Sequence, residues 1–224
     1  GKITDTGALL HADMQDIDAW QFVRGARRAV VCNVAGNDVL NLVVRQLNDV
    51  IGVKPDVARV THEHAGVTCA YDNPRRRGVE RWMAVLYASR LDAQPAMVVD
   101  AGTAMTIDVV ARDTHLGGLI IPGLNLMERS LLQRTADIDV DEPAPAQTAL
   151  GITSSDAVRN GALVALAGAV QRAMSAVDGA PMQAAQVTVT GGDGTALAAA
   201  LPFDAVCEPN VVLEGLAIYA GLHE

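Results

Sequence analysis

The stretch Ala96-Met97-Val98-Val99-Asp100-Ala101-Gly102-Thr103-Ala104-Met105-Thr106-Ile107-Asp108-Val109-Val110 decides the fold. Residues 96–99 form a short apolar run of the kind a buried strand uses. Asp100 to Ala104 makes a tight glycine turn, and the chain from Ala104 to Val110 is extended again. Two extended segments joined this way predict a β-hairpin. They do not read as the strand–turn–helix of a dinucleotide fold, where the glycine turn opens a helix. Asp100, at the strand's end, could hold a cation or a water. The amides of Gly102, Thr103 and Ala104 could converge on a phosphate, with the Thr103 hydroxyl as a further donor. An ordinary hairpin with a turn aspartate fits the same residues.

Working outward, strand and helix signals alternate on both sides. Arg28 to Val34 reads as a strand, followed by a helix that Asp38 would cap and that runs to about Val50. Val57 to Thr61 reads as a strand and Gly78 to Leu91 as a helix. Beyond the hairpin, paired glycines lead into a buried strand ending near Gly123. Helical spacing covers Asn125 to Thr135, and Asp137 to Gln147 is an acidic, proline-punctuated loop. A long alanine-rich helix spans Ser154 to Val177. Val187 to Thr190 is a strand, Thr195 to Leu201 a helix, and Pro209 to Tyr219 starts extended and closes as a helix. This rhythm predicts an α/β protein of two halves, each presenting a glycine turn to a shared cleft.

The 224 residues are half apolar but only 3% aromatic, so the core must be built from Ala, Val, Leu and Ile around many glycines. With 17 Lys+Arg against 26 Asp+Glu the formal charge is −9, which argues against a nucleic-acid footprint. Cys32, Cys69 and Cys207 are scattered and odd in number. They match neither a disulfide framework nor a zinc site and suggest a reducing cytoplasm. The absence of a signal peptide or membrane-length apolar run leads to the expectation of a soluble cytoplasmic protein.

Three further segments carry possible chemistry. His115-Leu116-Gly117-Gly118-Leu119-Ile120-Ile121-Pro122-Gly123 would let an anion or nucleotide approach the backbone at Gly117 and Gly118, or would simply turn tightly around one strand. His115 is given no proton-transfer role. Gly191-Gly192-Asp193-Gly194 follows a short strand and offers either a phosphate or adenosine seat or a plain turn. Tyr71-Asp72-Asn73-Pro74-Arg75-Arg76-Arg77-Gly78-Val79-Glu80-Arg81-Trp82 packs an aromatic, four arginines and a carboxylate into one stretch. Glu80 could act as a general base, and Arg81 could bind a carboxylate through two nitrogens. The other reading is a solvated turn and a helix whose Trp82 fills the core. The four arginines also offer a local positive patch. His62 and His64 lack an obvious third ligand and read as no metal site.

Taken in order, these segments resemble the type III pantothenate kinases of the actin/Hsc70/sugar-kinase superfamily, and the related accessory-factor proteins of Bordetella type. The family patterns Y-x-x-P-x-x-x-G-x-D-R-W, D-x-G-T-A-x-T-x-D, GG-x-I-x-PG and G-G-D fall on Tyr71–Trp82, Asp100–Asp108, Gly117–Gly123 and Gly191–Asp193. The resemblance implies duplicated ribonuclease-H-like halves, here residues 1–95 and 96–224, with ATP in the cleft between them. It implies ATP-dependent phosphorylation of pantothenate to 4′-phosphopantothenate in coenzyme A biosynthesis, by a homodimer using Mg2+ and a monovalent cation, K+ or NH4+. By the same resemblance Asp100 holds the monovalent cation. Gly102, Thr103, Ala104, Gly117, Gly118, Gly191 and Gly192 line the nucleotide. Tyr71, Gly78 and Arg81 bind pantothenate. Glu80 stands where the family has its catalytic aspartate, and Ser154 where a threonine reaches pantothenate across the dimer. Residues 1–29 contain nothing like the family's opening D-x-G-N-[ST]-x-x-K strand, so that strand is expected to precede Gly1. The alternative is a catalytically impaired member acting as a dimeric ligand-binding or regulatory protein.

Overall fold

A computed structural model describes residues 13–16, 20, 21, 23–133, 145–176 and 185–222. The hairpin forms as the sequence predicts. Strand β5 (Ala96–Ala101) pairs antiparallel with β6 (Ala104–Ala111), and Ala101 opposite Met105 closes the turn over Gly102 and Thr103. Around this pair grows a seven-stranded sheet. On one side β7 (Thr114–Pro122) runs antiparallel to β6, then come β4 (Val67–Thr68) and β3 (Glu63–His64). On the other side β8 (Gln186–Thr190) runs parallel to β5, followed by β9 (Val206–Cys207). The sheet therefore draws strands from both sides of residue 95. A second, two-stranded sheet pairs β1 (Val30–Val31) in parallel with β2 (Asp56–Val57), and helix α1 (Asn37–Ile51) makes the crossover.

Strand β5 is buried on both faces, which explains its continuous apolar run. One face, carrying Met97, Val99, Met105, Ile107 and Val189, packs on Leu163, Leu166 and Val170 of α4 (Ser154–Met174) and Leu197 of α5 (Gly194–Ala200). The opposite face, carrying Ala96, Val98 and Val110, packs on Trp82, Val85 and Leu86 of α2 (Val79–Ala88) and on Val211 and Ile218 of α6 (Val211–Tyr219). Helices α2 and α6 touch backbone to backbone: a Cβ on Gly215 would fall on the Met83 carbonyl. The short helix α3 (Leu124–Leu132) joins α4 through Arg159, which donates from Nε and Nη2 to Glu128 at 3.2 and 2.9 Å.

Four sequence expectations change. The strands foreseen over Arg28–Val34 and Val57–Thr61 shrink to two residues each. Asp38 does not cap α1. Gly36, at φ 90°, stands at that position, and Asp38 lies inside the first turn. Strand β7 is not buried: Ile120 is 64% exposed and Leu119 45%. Only Thr114 of β7 pairs with β4, so most of its outer edge is unpartnered among the described residues. The segment before α6 is a turn, the extended residues lying earlier, in β9. Most of the acidic loop lies outside the described residues.

Candidate active site

Asp100 closes β5 beside Thr190 at the end of β8. The chain leaves β8 through Gly191 at φ 89°, where a Cβ would meet the Ala101 carbonyl and Asp100 Oδ1. Only glycine passes there without strain. The Asp193 N–H then donates to the Ala101 carbonyl at 2.9 Å, and the Gly123 N–H donates to the Thr103 carbonyl at 2.9 Å. Asp100, Gly102, Thr103, Ala104, Gly191 and Gly192 thus share one end of the sheet. Of the three turn amides expected to face an anion, that of Gly102 is already used, donating to the Ala104 carbonyl at 3.3 Å.

Glu80, from another element, comes near enough to feel the charge of Asp100. Gly78 starts α2, putting Glu80 in its first turn, where a carboxylate also suits the positive end of the helix. Glu80 is exposed, but partial desolvation raises its pKa, and the nearby charge of Asp100 raises it further. Burial likewise raises that of Asp100. Neither carboxylate has a hydrogen bond or ion pair among the described residues. On the other side of Glu80 lies Cys32, whose thiol is pushed up to about 12 by burial and then by the Glu80 charge, so it is no nucleophile at neutral pH. Glu80 and Cys32 border a largely apolar cavity of about 430 Å³ between α1, β1 and α6.

Arg81 points elsewhere. Its Nε and Nη2 donate to the two oxygens of Asp108 at 2.9 and 2.7 Å, and its Nη1 donates to the Tyr71 hydroxyl at 2.9 Å. The carboxylate that the sequence led us to expect for Arg81 is the protein's own. Arg77 Nη2 approaches the same Asp108 oxygen at 3.0 Å, and His115 Nε2 lies 3.0 Å from it. The Ala70 N–H donates to His115 Nδ1 at 3.3 Å, so the ring proton sits on Nε2 and is given to Asp108. Asp108 is 1% exposed. Burial alone would raise its pKa, but the His115 hydrogen bond and the two guanidinium charges hold it below the ordinary value. Burial holds that of His115 down, and the ring stays neutral.

Register separates this cluster from the turn. Gly118 pairs with Asp108 and Pro122 with Ala104. Four residues along β6 put about 13 Å between them. Gly117 and Gly118 therefore do not join the glycines beside Asp100. Gly117, at φ 124°, lies beside the irregularity in the β6–β7 register. A Cβ on Gly118 would collide with the Ile107 carbonyl, Asp108 Oδ1 and Arg81 Nη2. Its bare backbone makes room for the ion pair. Ser154 stands exposed at the start of α4, beside Thr153, whose hydroxyl accepts the Asp156 N–H at 3.1 Å. The positive patch read from the four arginines does not form as a surface feature, because Arg77 and Arg81 are buried. Sequence reasoning quoted Asp108 but gave it no task. Its one signal was a charged residue inside an otherwise largely apolar strand pattern.

Comparison with known proteins bears on this geometry. The family model for type III pantothenate kinase matches residues 3–176, well over half of the chain. The chain belongs to the type III pantothenate kinase family. It is 37% identical over 222 residues to the type III pantothenate kinase of Aromatoleum aromaticum, covering 96% of this chain and 87% of that one. It is 40% identical over 169 residues to that of Pseudoalteromonas translucida, covering 75% and 70%. Among solved structures, a conserved Baf family protein from Campylobacter jejuni superposes with a TM-score of 0.60 at 20% identity. It covers 92% of this chain and 87% of the other, a likeness of fold.

Proposed function

We propose that this chain transfers the γ-phosphoryl group of ATP to the primary hydroxyl of pantothenate, giving 4′-phosphopantothenate for coenzyme A biosynthesis. Family membership supports the reaction, and the nearness of Glu80 to Asp100, at the glycine-lined end of the sheet, carries the mechanism. Glu80 takes or orients the hydroxyl proton. A pKa raised by partial desolvation and a like charge makes it a stronger base than an ordinary glutamate. The hydroxyl oxygen attacks phosphorus in line, while turn amides face the developing charge. Tyr71, Gly78 and Arg81 hold pantothenate. Gly102, Thr103, Ala104, Gly191 and Gly192 seat the nucleotide, with Gly117 and Gly118 assigned by resemblance alone.

The donor set fits cations. Two carboxylates with no positive partner repel one another at Glu80 and Asp100, and a cation relieves that repulsion. Among the described residues no three His, Cys, Asp or Glu side chains gather to hold a metal unaided. This suits Mg2+, which commonly takes one or two carboxylates together with phosphate oxygens. K+ or NH4+ would sit at Asp100. When bound, these ions supply positive charge against the phosphates.

A homodimer fits the exposed apolar surface around Ser154. Leu150 and Ile152 are each 97% exposed, and a groove between α3 and α4 is lined by Met127, Leu131, Val158 and Gly161. Covering this face by a second copy would bring Ser154 toward the partner's substrate. A second, two-stranded sheet is in keeping with two ribonuclease-H-like halves in the actin/Hsc70/sugar-kinase manner; the bounds 1–95 and 96–224 rest on the resemblance alone, since β3 and β4 join the large sheet. No described helix is long and apolar enough to cross a membrane.

The test is ATP-dependent phosphorylation of pantothenate by the full-length protein with Mg2+ and either K+ or NH4+. Glu80→Gln should lower kcat by about 100-fold or more while the protein stays folded. Equal turnover by the variant rejects Glu80 as base. No turnover by the wild type under either cation rejects the kinase, leaving the alternative of a dimer that binds ligands without turning them over.

A further inference from the structure

The buried cluster behind Arg81 has a charge count that its structural role does not require. Two guanidiniums, of Arg77 and Arg81, face one carboxylate, and burial keeps His115 neutral. One positive charge is left over. The Arg77 side chain is wholly enclosed, and the excess charge reaches the surface only through Arg81, 9% exposed, and the half-buried Tyr71. Arg81 cannot swing, because Asp108 takes its Nε and Nη2 in a fork that fixes the guanidinium plane. Asp108 is itself fixed by the His115 N–H, and Gly118 leaves the space in which the pair lies.

We infer that Asp108 is the positioning residue of the substrate site, holding Arg81 and Tyr71 in place so that the carboxylate of the substrate meets an already oriented charge. The inference rests on the reading of Tyr71 and Arg81 as pantothenate-binding. An arginine held in advance loses little side-chain freedom when its ligand arrives, and that saving appears as affinity. Without the Asp108 charge, Arg81 would face Arg77 unscreened and leave its plane. The effect should fall on pantothenate more than on ATP, because Gly102 and Thr103 lie beyond Ala104, four residues from Asp108 along β6.

Two measurements on full-length Asp108→Asn decide the matter. Steady-state kinetics should show the KM for pantothenate raised about tenfold or more, with the KM for ATP within about twofold of wild type. In a nitrogen-15 spectrum of the arginine side chains, wild type should show a slowly exchanging Arg81 Nε–H signal, assigned by its loss in Arg81→Lys and absent in Asp108→Asn. An unchanged Nε–H signal, or an unchanged pantothenate KM once that signal is lost, overturns the inference. If Asp108→Asn does not fold, Tyr71→Phe replaces it. That variant removes only the hydroxyl on Nη1 and should raise the pantothenate KM about threefold, and no rise overturns the inference. A wild type that shows the signal but never phosphorylates pantothenate brings down the kinase reading and the substrate named here, while the hold of Asp108 on Arg81 stands.

Discussion

At the scale of single residues, the informative pair is Glu80 and Asp100. Each raises the question of where its proton sits when the reaction starts. A base must be ionised, so the rate falls as pH drops through the Glu80 pKa, which partial desolvation and the Asp100 charge lift above the ordinary glutamate value. Replacing Asp100 with Asn removes the like charge. Ionised Glu80 becomes easier to form, and its pKa falls. With the monovalent cation left out, the acid limb of kcat/KM for the residual activity of Asp100→Asn should therefore lie at lower pH than that of the wild type. A limb that stays in place or moves upward would show that Asp100 does not act on Glu80. The contrast between Glu80 and Arg81 shows the limit of reading neighbours as a unit. Adjacent on α2, they address different residues of the sheet, Glu80 the charge of Asp100 and Arg81 the Asp108 cluster two residues further along.

At the scale of elements, glycine clearance is the recurring device, and it can be tested by adding one methyl group. Gly118→Ala would drive a Cβ into the Ile107 carbonyl and the Asp108–Arg81 pair. It should destabilise the fold by about 1–3 kcal/mol, and also raise the pantothenate KM. Gly215→Ala meets only the Met83 backbone across the α2–α6 contact. It should lower Tm to a comparable degree and leave both KM values of the folded fraction alone. Thermal unfolding with steady-state kinetics separates the two cases. The hairpin was legible because an apolar run, a glycine turn and a second extended run are all local. The task of Asp108 was not, because its partner Arg81 is 27 residues away and the two meet only through the packing of α2 on the sheet. Gly117 and Gly118, proposed with the nucleotide glycines, lie apart from the turn at Asp100 for a related reason. A glycine pair looks alike in sequence whether it faces a ligand or clears a neighbouring side chain, and only strand register tells which.

At the scale of the whole molecule, the proposed homodimer would tie assembly to activity through the apolar face near Ser154. Leu150 and Ile152, each 97% exposed, are the most exposed of the large hydrophobic side chains among the described residues. Replacing both with Asp should turn a dimer into a monomer in sedimentation velocity and lower turnover with it, because Ser154 would lose the partner's site. A double variant that stays dimeric would move the interface elsewhere. The helical order and the long α4 were readable from periodicity and alanine content, whereas β1 and β2 were read as longer strands and β3 and β4 were not read at all. Two-residue strands carry no pattern of their own and exist only because neighbouring chain is brought alongside.

The packing of α6 on α2 also has a consequence for how the protein is made. The core around Trp82 is completed by Val211 and Ile218. Arg28 donates to the Ala220 carbonyl at 2.6 Å, and the Arg59 amide donates to the Tyr219 hydroxyl at 3.2 Å. Residues synthesised early thus wait for partners 160 and 192 residues further along the chain. The core around Trp82 cannot close before α6 has been made, and the nascent polypeptide depends on shelter until that helix is free.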